Sequence, residues 1–350
     1  MPSHFKTTGA PQLAQGTVMG INCASSVTQP LDLISSPSCK LELVFRSARA
    51  FERLAWAVLI YGIFVIIWGA VVRATGSGAG CGAHWPLCNG DVVPLAPRLA
   101  TVIEFVHRST SGIILMMTAL LVWSAFRIFP SGHAARRAAV WSMIFVLIEA
   151  AVGAGIVLLR LVENDTSALR AGYIAVHLAN TLVLVGVYTW AVFASRPRLV
   201  TWSAAAAATR ESWIRIGLVG MLIVSALGAV VALGDTLFPQ TSLAAGFAAD
   251  FDRGSHVLVR LRMWHPLLAV GLSFYLMTLI TQTEALDEPS IRKPARLALW
   301  LILGQVALGI VNILALAPLP LQMAHLFVSN ILWVSLVWMW LLVRSAATRS

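Results

Sequence analysis

Eight apolar stretches of about 20 residues each decide what this chain can become, because a helix of that length crosses the roughly 30 Å of hydrocarbon in a bilayer. They lie near 53–73, 99–126, 138–160, 171–194, 213–234, 257–280, 295–317 and 320–343. Composition agrees with them. Of 350 residues 58% are hydrophobic and 11% charged, with a mean hydropathy of +0.81, whereas soluble domains carry about 25% charged residues. Two or three soluble domains, a disordered chain, a coiled coil and a disulfide-rich secreted scaffold are all excluded on those numbers. The predicted class is an all-α polytopic membrane protein with eight transmembrane helices, embedded in a lipid bilayer.

The formal net charge of +10 would suit nucleic acid, but its placement says otherwise. With the N-terminus inside, the inner segments carry 17 of the 25 Lys and Arg residues, from Lys6 to Arg349. The outer side and outer helix ends carry the remainder: Arg73, Arg98, Arg108, Arg160, Arg170, Arg253, Arg260 and Arg262. That bias predicts two cytoplasmic termini, and no nucleic-acid partner is expected. Residues 1–50 are rich in Ser, Pro, Gly and Thr and hold no continuous apolar run, so no cleavable signal is expected. They read as a disordered cytoplasmic extension. Cys23 and Cys39 lie in it on the reducing side, where a structural disulfide is not expected.

The stretches repeat in sets of four. The first ends in Gly69-Ala70-Val71-Val72 and the fifth in Gly228-Ala229-Val230-Val231. From those glycines it is 38 residues to His107 and 37 to His265. The third and seventh share Gly155-Ile156-Val157 and Gly309-Ile310-Val311, and each is followed by a stretch with an early histidine, His177 or His325. Four crossings per unit is even, so the repeat is parallel, with its axis along the membrane normal. The expected architecture is two four-helix bundles, 51–195 and 213–344, joined by a cytoplasmic linker at 196–212 and followed by a tail at 345–350.

His107, His177, His265 and His325 all fall in even-numbered stretches, roughly 5–14 Å below the outer surface at 1.5 Å per residue. His4, His84, His133 and His256 fall in tails or loops, where a solvated ring is the default. Polar groups at membrane depth are costly and usually functional. One intramembrane histidine is more often an interhelical hydrogen-bond partner than a ligand, but four at one depth are hard to attribute to packing. Zinc would want three or four nearby ligands including Cys or carboxylate, and no HExxH or i, i+4 histidine pair occurs. Two histidines from facing helices are the usual grip on heme iron, and without C-x-x-C-H covalent attachment is excluded. One bis-histidine site per bundle is the preferred reading.

Glu104 precedes His107 by three residues and so shares its helix face. A carboxylate there can accept protons or steady positive charge; an ion pair with Arg108 or Arg73 is the structural alternative. The matching place in the sixth stretch is Arg262, which suggests a substrate site in the first bundle and a cofactor site in the second. Arg73, Arg108, Arg260 and Arg262 are candidate contacts to heme propionates, or membrane anchors. Glu149, mid-membrane, is expected to be neutral or bonded to another helix, with a proton path as the alternative; Gln305 sits in the matching part of the seventh stretch. In the outer loop 74–98, Cys81 and Cys88 lie on the oxidising side with Pro86 and four glycines to form turns, so a disulfide is favoured over free thiols. The same glycines form no phosphate loop.

The ordered set resembles the heme A synthase family over roughly residues 53–343. The motifs are Gly69-Ala70-Val71-Val72-Arg73 with Thr75-Gly76-Ser77-Gly78, Cys81 with Trp85-Pro86-Leu87-Cys88-Asn89-Gly90, Glu104-Phe105-Val106-His107-Arg108, and a histidine early in each even stretch. The resemblance implies oxidation of the C8 methyl of heme O to a formyl group through a hydroxymethyl intermediate, giving heme A for terminal oxidases. It implies that His107 and His177 flank the substrate heme, that His265 and His325 ligate a heme b cofactor, and that Glu104 is the catalytic carboxylate. Cys81 and Cys88 match the loop cysteines of the cysteine-containing bacterial class. Cys81-Gly82-Ala83-His84 departs from the Cys-Pro-Asp of many members, the loop near 235–256 has no second cysteine pair, and the N-terminal extension is long for a bacterial member. The implied setting is a bacterial plasma membrane, with heme O synthase (a farnesyltransferase) as upstream partner; a homo-oligomer is compatible with it. The main alternative is a di-heme b electron-transfer cytochrome. A repeat-built transporter would purify without heme. A heme farnesyltransferase would need paired Asp-rich motifs to bind diphosphate through magnesium, and this chain has no such cluster.

Overall fold

The computed structural model describes residues 37–95, 97–196, 204–284 and 289–347. The chain divides into two units, Met1–Arg46 and Ser47–Ser350. Of the first, the described backbone from residue 37 is helical. The second carries all the membrane-length helices and the site. In chain order the helices are α1 Pro37–Ala74, α2 Leu99–Ile128, α3 Ala134–Leu158, α4 Ala168–Ala194, α5 Ala204–Leu237, α6 Leu243–Phe251, α7 Val257–Arg260, α8 Trp264–Glu284, α9 Pro289–Leu314 and α10 Leu319–Ala347. Among the described residues there is no strand, only an isolated bridge between Cys88 and Asp91.

Eight helical spans are long and apolar enough to cross a membrane, as expected. Most run a few residues beyond the apolar stretches, because the basic and small residues that flank a span are themselves good helix formers. The largest difference is at the start. Residues 37–50, expected to belong to a disordered extension, are helical from Pro37, a proline at a helix start being pre-organised for it. Residues 1–36 with Cys23, residues 197–203 of the expected linker and 348–350 of the expected tail lie outside the described residues. The sixth span is interrupted: α7 gives way to a 3₁₀ turn at Leu261–Met263 before α8 continues. The short α6 was not foreseen.

The spans are not equally buried. The α4 and α10 windows are 44% and 56% buried, against 11% for α9, which puts α4 and α10 at the centre of the membrane unit. They pack on each other and on α5, and Trp333 Nε1 donates to Leu182 O across α10 and α4. The tightest packing is at the end away from the 74–98 loop, where Ala135, Ala138, Ala139, Ala191, Ala295 and Ala298 are almost fully buried. Small residues let backbones approach closely, the main source of helix association in lipid. Toward the loop end a cavity lies between the helices, and that cavity is the site.

Candidate functional site

Each of the four intramembrane histidines stands against a glycine of the preceding membrane-length helix. A Cβ on Gly69 of α1 would lie 2.9 Å from His107 Cε1 of α2, and one on Gly228 of α5 would lie 2.7 Å from His265 Cε1 of α8. Both distances are overlaps, so glycine at those two places makes room for the imidazole. Gly153 of α3 and Gly309 of α9 face His177 and His325 at the ordinary distances of 3.7 and 3.4 Å. All four rings line one cavity of about 1600 Å³. Single small-molecule sites are usually about 300–1,000 Å³, so there is room for more than one large ligand. The wall is mostly Gly, Ala, Val and Leu, with Arg73, Glu104, Arg108, Arg170 and Arg262 among its charged members.

His265 and His325 face each other, ring centroids 6.4 Å apart and planes at 77°. Two metal–imidazole bonds of about 2 Å each plus the two ring radii come to roughly the same span. His265 donates Nδ1–H to Val224 O at 3.1 Å, the partnership that usually fixes a ligating histidine with Nε2 free for metal. Gln305 donates its amide to His325 Nε2 at 3.0 Å, while His325 Nδ1 is buried without a partner. Among the described residues no group of three or more His, Cys, Asp or Glu side chains could hold a bare ion. A metal held by two imidazoles here must bring most of its own ligands.

His107 and His177 line the same cavity. His107 Nδ1 is buried and unpartnered. His177 Nδ1 lies 3.2 Å from Glu149 Oε1, though without good hydrogen-bond alignment. Glu149 is bonded to another helix, accepting from Asn180 Nδ2 and Thr181 Oγ1 of α4.

Glu104 is 3% exposed, which demands partners for its carboxylate. Oε2 accepts Cys81 N–H at 2.8 Å, and Oε1 accepts from Arg108 Nη2 at 2.5 Å and Nε at 3.1 Å. Arg108 Nη1 in turn donates to His84 O and Leu87 O. Cys81 and Cys88 form a disulfide, and both are buried. Thr101 Oγ1 donates to Gly80 O at 2.8 Å, and Gly80 lies so close to Ala100 that a Cβ there would meet backbone. The Glu104–Arg108 pair thus pins the disulfide loop onto the start of α2, beside the cavity.

The other arginines differ. Arg73 donates Nη1 to Ala232 O and Thr236 Oγ1 of α5 and Nη2 to Gln322 Oε1 of α10. Arg262 bonds Asp250 and Asp235 and keeps Nη2 buried without a partner. Arg73, Arg108 and Arg262 line the cavity, whereas Arg260 is exposed and does not. Sequence reasoning missed the contact role of the glycines, which it used only as repeat markers, and the carboxylates Asp235 and Asp250. The spacing of glycine to histidine was the available signal for the first; nothing local marked the second.

The family model COX15-CtaA, described as cytochrome oxidase assembly protein, matches residues 52–337. A protein named protoheme IX farnesyltransferase from Thermus thermophilus is 40% identical over 301 residues, covering 83% of this chain and 48% of that protein. A heme A synthase from Shouchella clausii is 29% identical over 307 residues, covering 84% of this chain and 97% of that protein. Another, from Halalkalibacterium halodurans, is 35% identical over 122 residues, 35% of this chain and 41% of that protein. The chain spans about half the length of the Thermus relative and nearly all of the Shouchella one.

Proposed function

The chain belongs to the COX15-CtaA family of cytochrome oxidase assembly proteins, and from that membership we propose that it is a heme A synthase. It is a membrane oxidoreductase that converts the C8 methyl of heme O to a formyl group through a hydroxymethyl intermediate, supplying heme A to terminal oxidases. Heme O is the substrate, taken up in the half 51–195 between His107 and His177. A heme b is the resident cofactor, held in the half 213–344 by His265 and His325. The observation that carries this reading is the opposed pair His265 and His325, 6.4 Å apart, on a cavity that His107 and His177 also line.

Bound there, heme b supplies one-electron chemistry through its iron. The residues do the rest. Val224 O holds His265 Nδ1–H and leaves Nε2 as the ligand nitrogen. Arg262, with one unpartnered nitrogen at the cavity wall, and Arg108 are the contacts for propionates, joined by Arg73. Glu104 stands one turn from His107, and its carboxylate receives protons released as the methyl is oxidised, oriented by Arg108 and Cys81 N–H. The apolar wall excludes water from the reacting edge.

The setting is a bacterial plasma membrane with both termini cytoplasmic, an orientation supported by the Lys and Arg bias. A heme O synthase acts upstream; the name of the Thermus relative, a protoheme IX farnesyltransferase, supports a shared pathway. The di-heme b carrier is not favoured, since relatives along the chain are named for heme A synthesis.

Mass spectrometry of hemes extracted from membranes with a heme O source, with and without this protein, tests the reading. The expected result is a formyl heme, or its hydroxymethyl precursor, only where the protein is present. Unchanged heme O beside a folded, heme-loaded protein would reject the synthase and favour the carrier.

A further inference from the structure

Glu149, in α3, is a carboxylate that the reaction above leaves unused. Its neighbours aim donors at it. Asn180 Nδ2 donates to Oε2 at 2.5 Å and its other hydrogen to Phe145 O at 3.0 Å, Thr181 Oγ1 bonds Oε1, and His177 Nδ1 lies 3.2 Å from that same oxygen. Nδ1 is the ring nitrogen within ion-pair distance of the carboxylate, though not aligned for a hydrogen bond to it, which leaves Nε2 as the nitrogen for a ligand. The second half offers its histidines only neutral partners. Gln305 stands four residues before Gly309 as Glu149 stands four before Gly153, and it presents an uncharged amide to His325. His265 bonds a backbone carbonyl. Among the described residues, only His177 of the four has a carboxylate within ion-pair distance.

We propose that Glu149 is a positioning residue for iron bound in the first half: it fixes His177 as the Nδ1–H tautomer, presents Nε2 to the iron, and gives that site an anionic support the second half lacks. Carboxylate behind a ligating imidazole raises its basicity, and loss of such a partner typically costs about ten- to a hundredfold in metal affinity or activity. A more basic imidazole favours the ferric state, so the first-half iron holds its electron less tightly than it would beside an amide. The inference rests on the reading that heme O binds between His107 and His177.

The test uses the purified full-length protein with its resident heme, titrated with heme O, and reads the binding and midpoint potential of the added heme by absorbance. In the wild type the added heme is expected to give a second low-spin bis-imidazole spectrum. Its absence overturns both this inference and the reading of the site. Glu149→Gln, equal in size without the charge, is expected to shift the added heme about tenfold toward the reduced form, about 59 mV for a one-electron couple. The resident heme should not move, which also marks an intact fold. Thr181→Val removes a competing donor from the oxygen that faces His177 and is expected to shift the added heme the opposite way. If Glu149→Gln loses its resident heme, Thr181→Val decides. Binding with an unmoved potential in the folded variants overturns the role of Glu149 and leaves heme O binding intact.

Discussion

Glu104 is gripped by Arg108 and by Cys81 N–H, so its carboxylate is oriented before any substrate arrives, and pre-orientation is what makes an acid–base group effective. Glu104→Gln is expected to lower turnover by at least about a hundredfold while the resident heme stays bound; an unchanged rate in extracted-heme assays would remove it from the chemistry. At Gly228 the effect is steric. An added methyl would meet His265 Cε1 at 2.7 Å, so Gly228→Ala should weaken heme retention about ten- to a hundredfold. Gly271→Ala, where nothing lies within 4 Å, should keep the full heme content by pyridine hemochrome. The four histidines could be picked out in the sequence because a polar ring in an apolar run is visible in one dimension. Their partners could not. That Glu149 meets His177, and Gln305 meets His325, depends on how two helices rotate against each other, which no local pattern records.

The long apolar helices were legible for the same one-dimensional reason, and the shorter elements were not. The helix α6, Leu243–Phe251, is apolar and capped by Ser242, whose side chain accepts Ala245 N–H, yet nine residues are too few to register against a membrane-length criterion. The turn that interrupts the sixth span at Leu261–Met263 did have a local mark, Pro266, which has no N–H to give the Arg262 carbonyl four residues back, but the apolar run across it reads as one continuous span. The start of α3 has its own device. His133 Nδ1 accepts Ala135 N–H, which only a neutral ring can do. Burial, then the charges of Arg137 and Arg136, hold the His133 pKa below its ordinary 6.5. A frayed helix end therefore takes up the proton first, so the cap is fully present above pH 6.5 and weakens as pH falls below it. Amide exchange at residues 134–138, corrected for intrinsic rates, should quicken between about pH 7.5 and 5.5. His133→Asn, a cap that does not titrate, should abolish the change; equal protection at both pH values in the native protein would refute it.

Across the whole molecule, packing is graded: small residues close the helices at one end, and glycine–histidine contacts hold them around a cavity at the other. An even number of spans returns the chain to the face it started from, and the proposed cytoplasmic assignment of that face rests on the charge bias. Reporter fusions should find a C-terminal tag on the cytoplasmic side and a tag between Gly90 and Pro94 on the opposite side; the reverse would invert the assignment. Arg73 bears on how such a chain diversifies. It leaves α1 and ends on Ala232, Thr236 and Gln322, so a residue of the first half completes its bonding only with residues of the second. Recombination that exchanges one half for that of a distant relative must bring a matching acceptor set, or it strands a guanidinium in the membrane. The halves can drift in their surfaces, but at this seam they must change together.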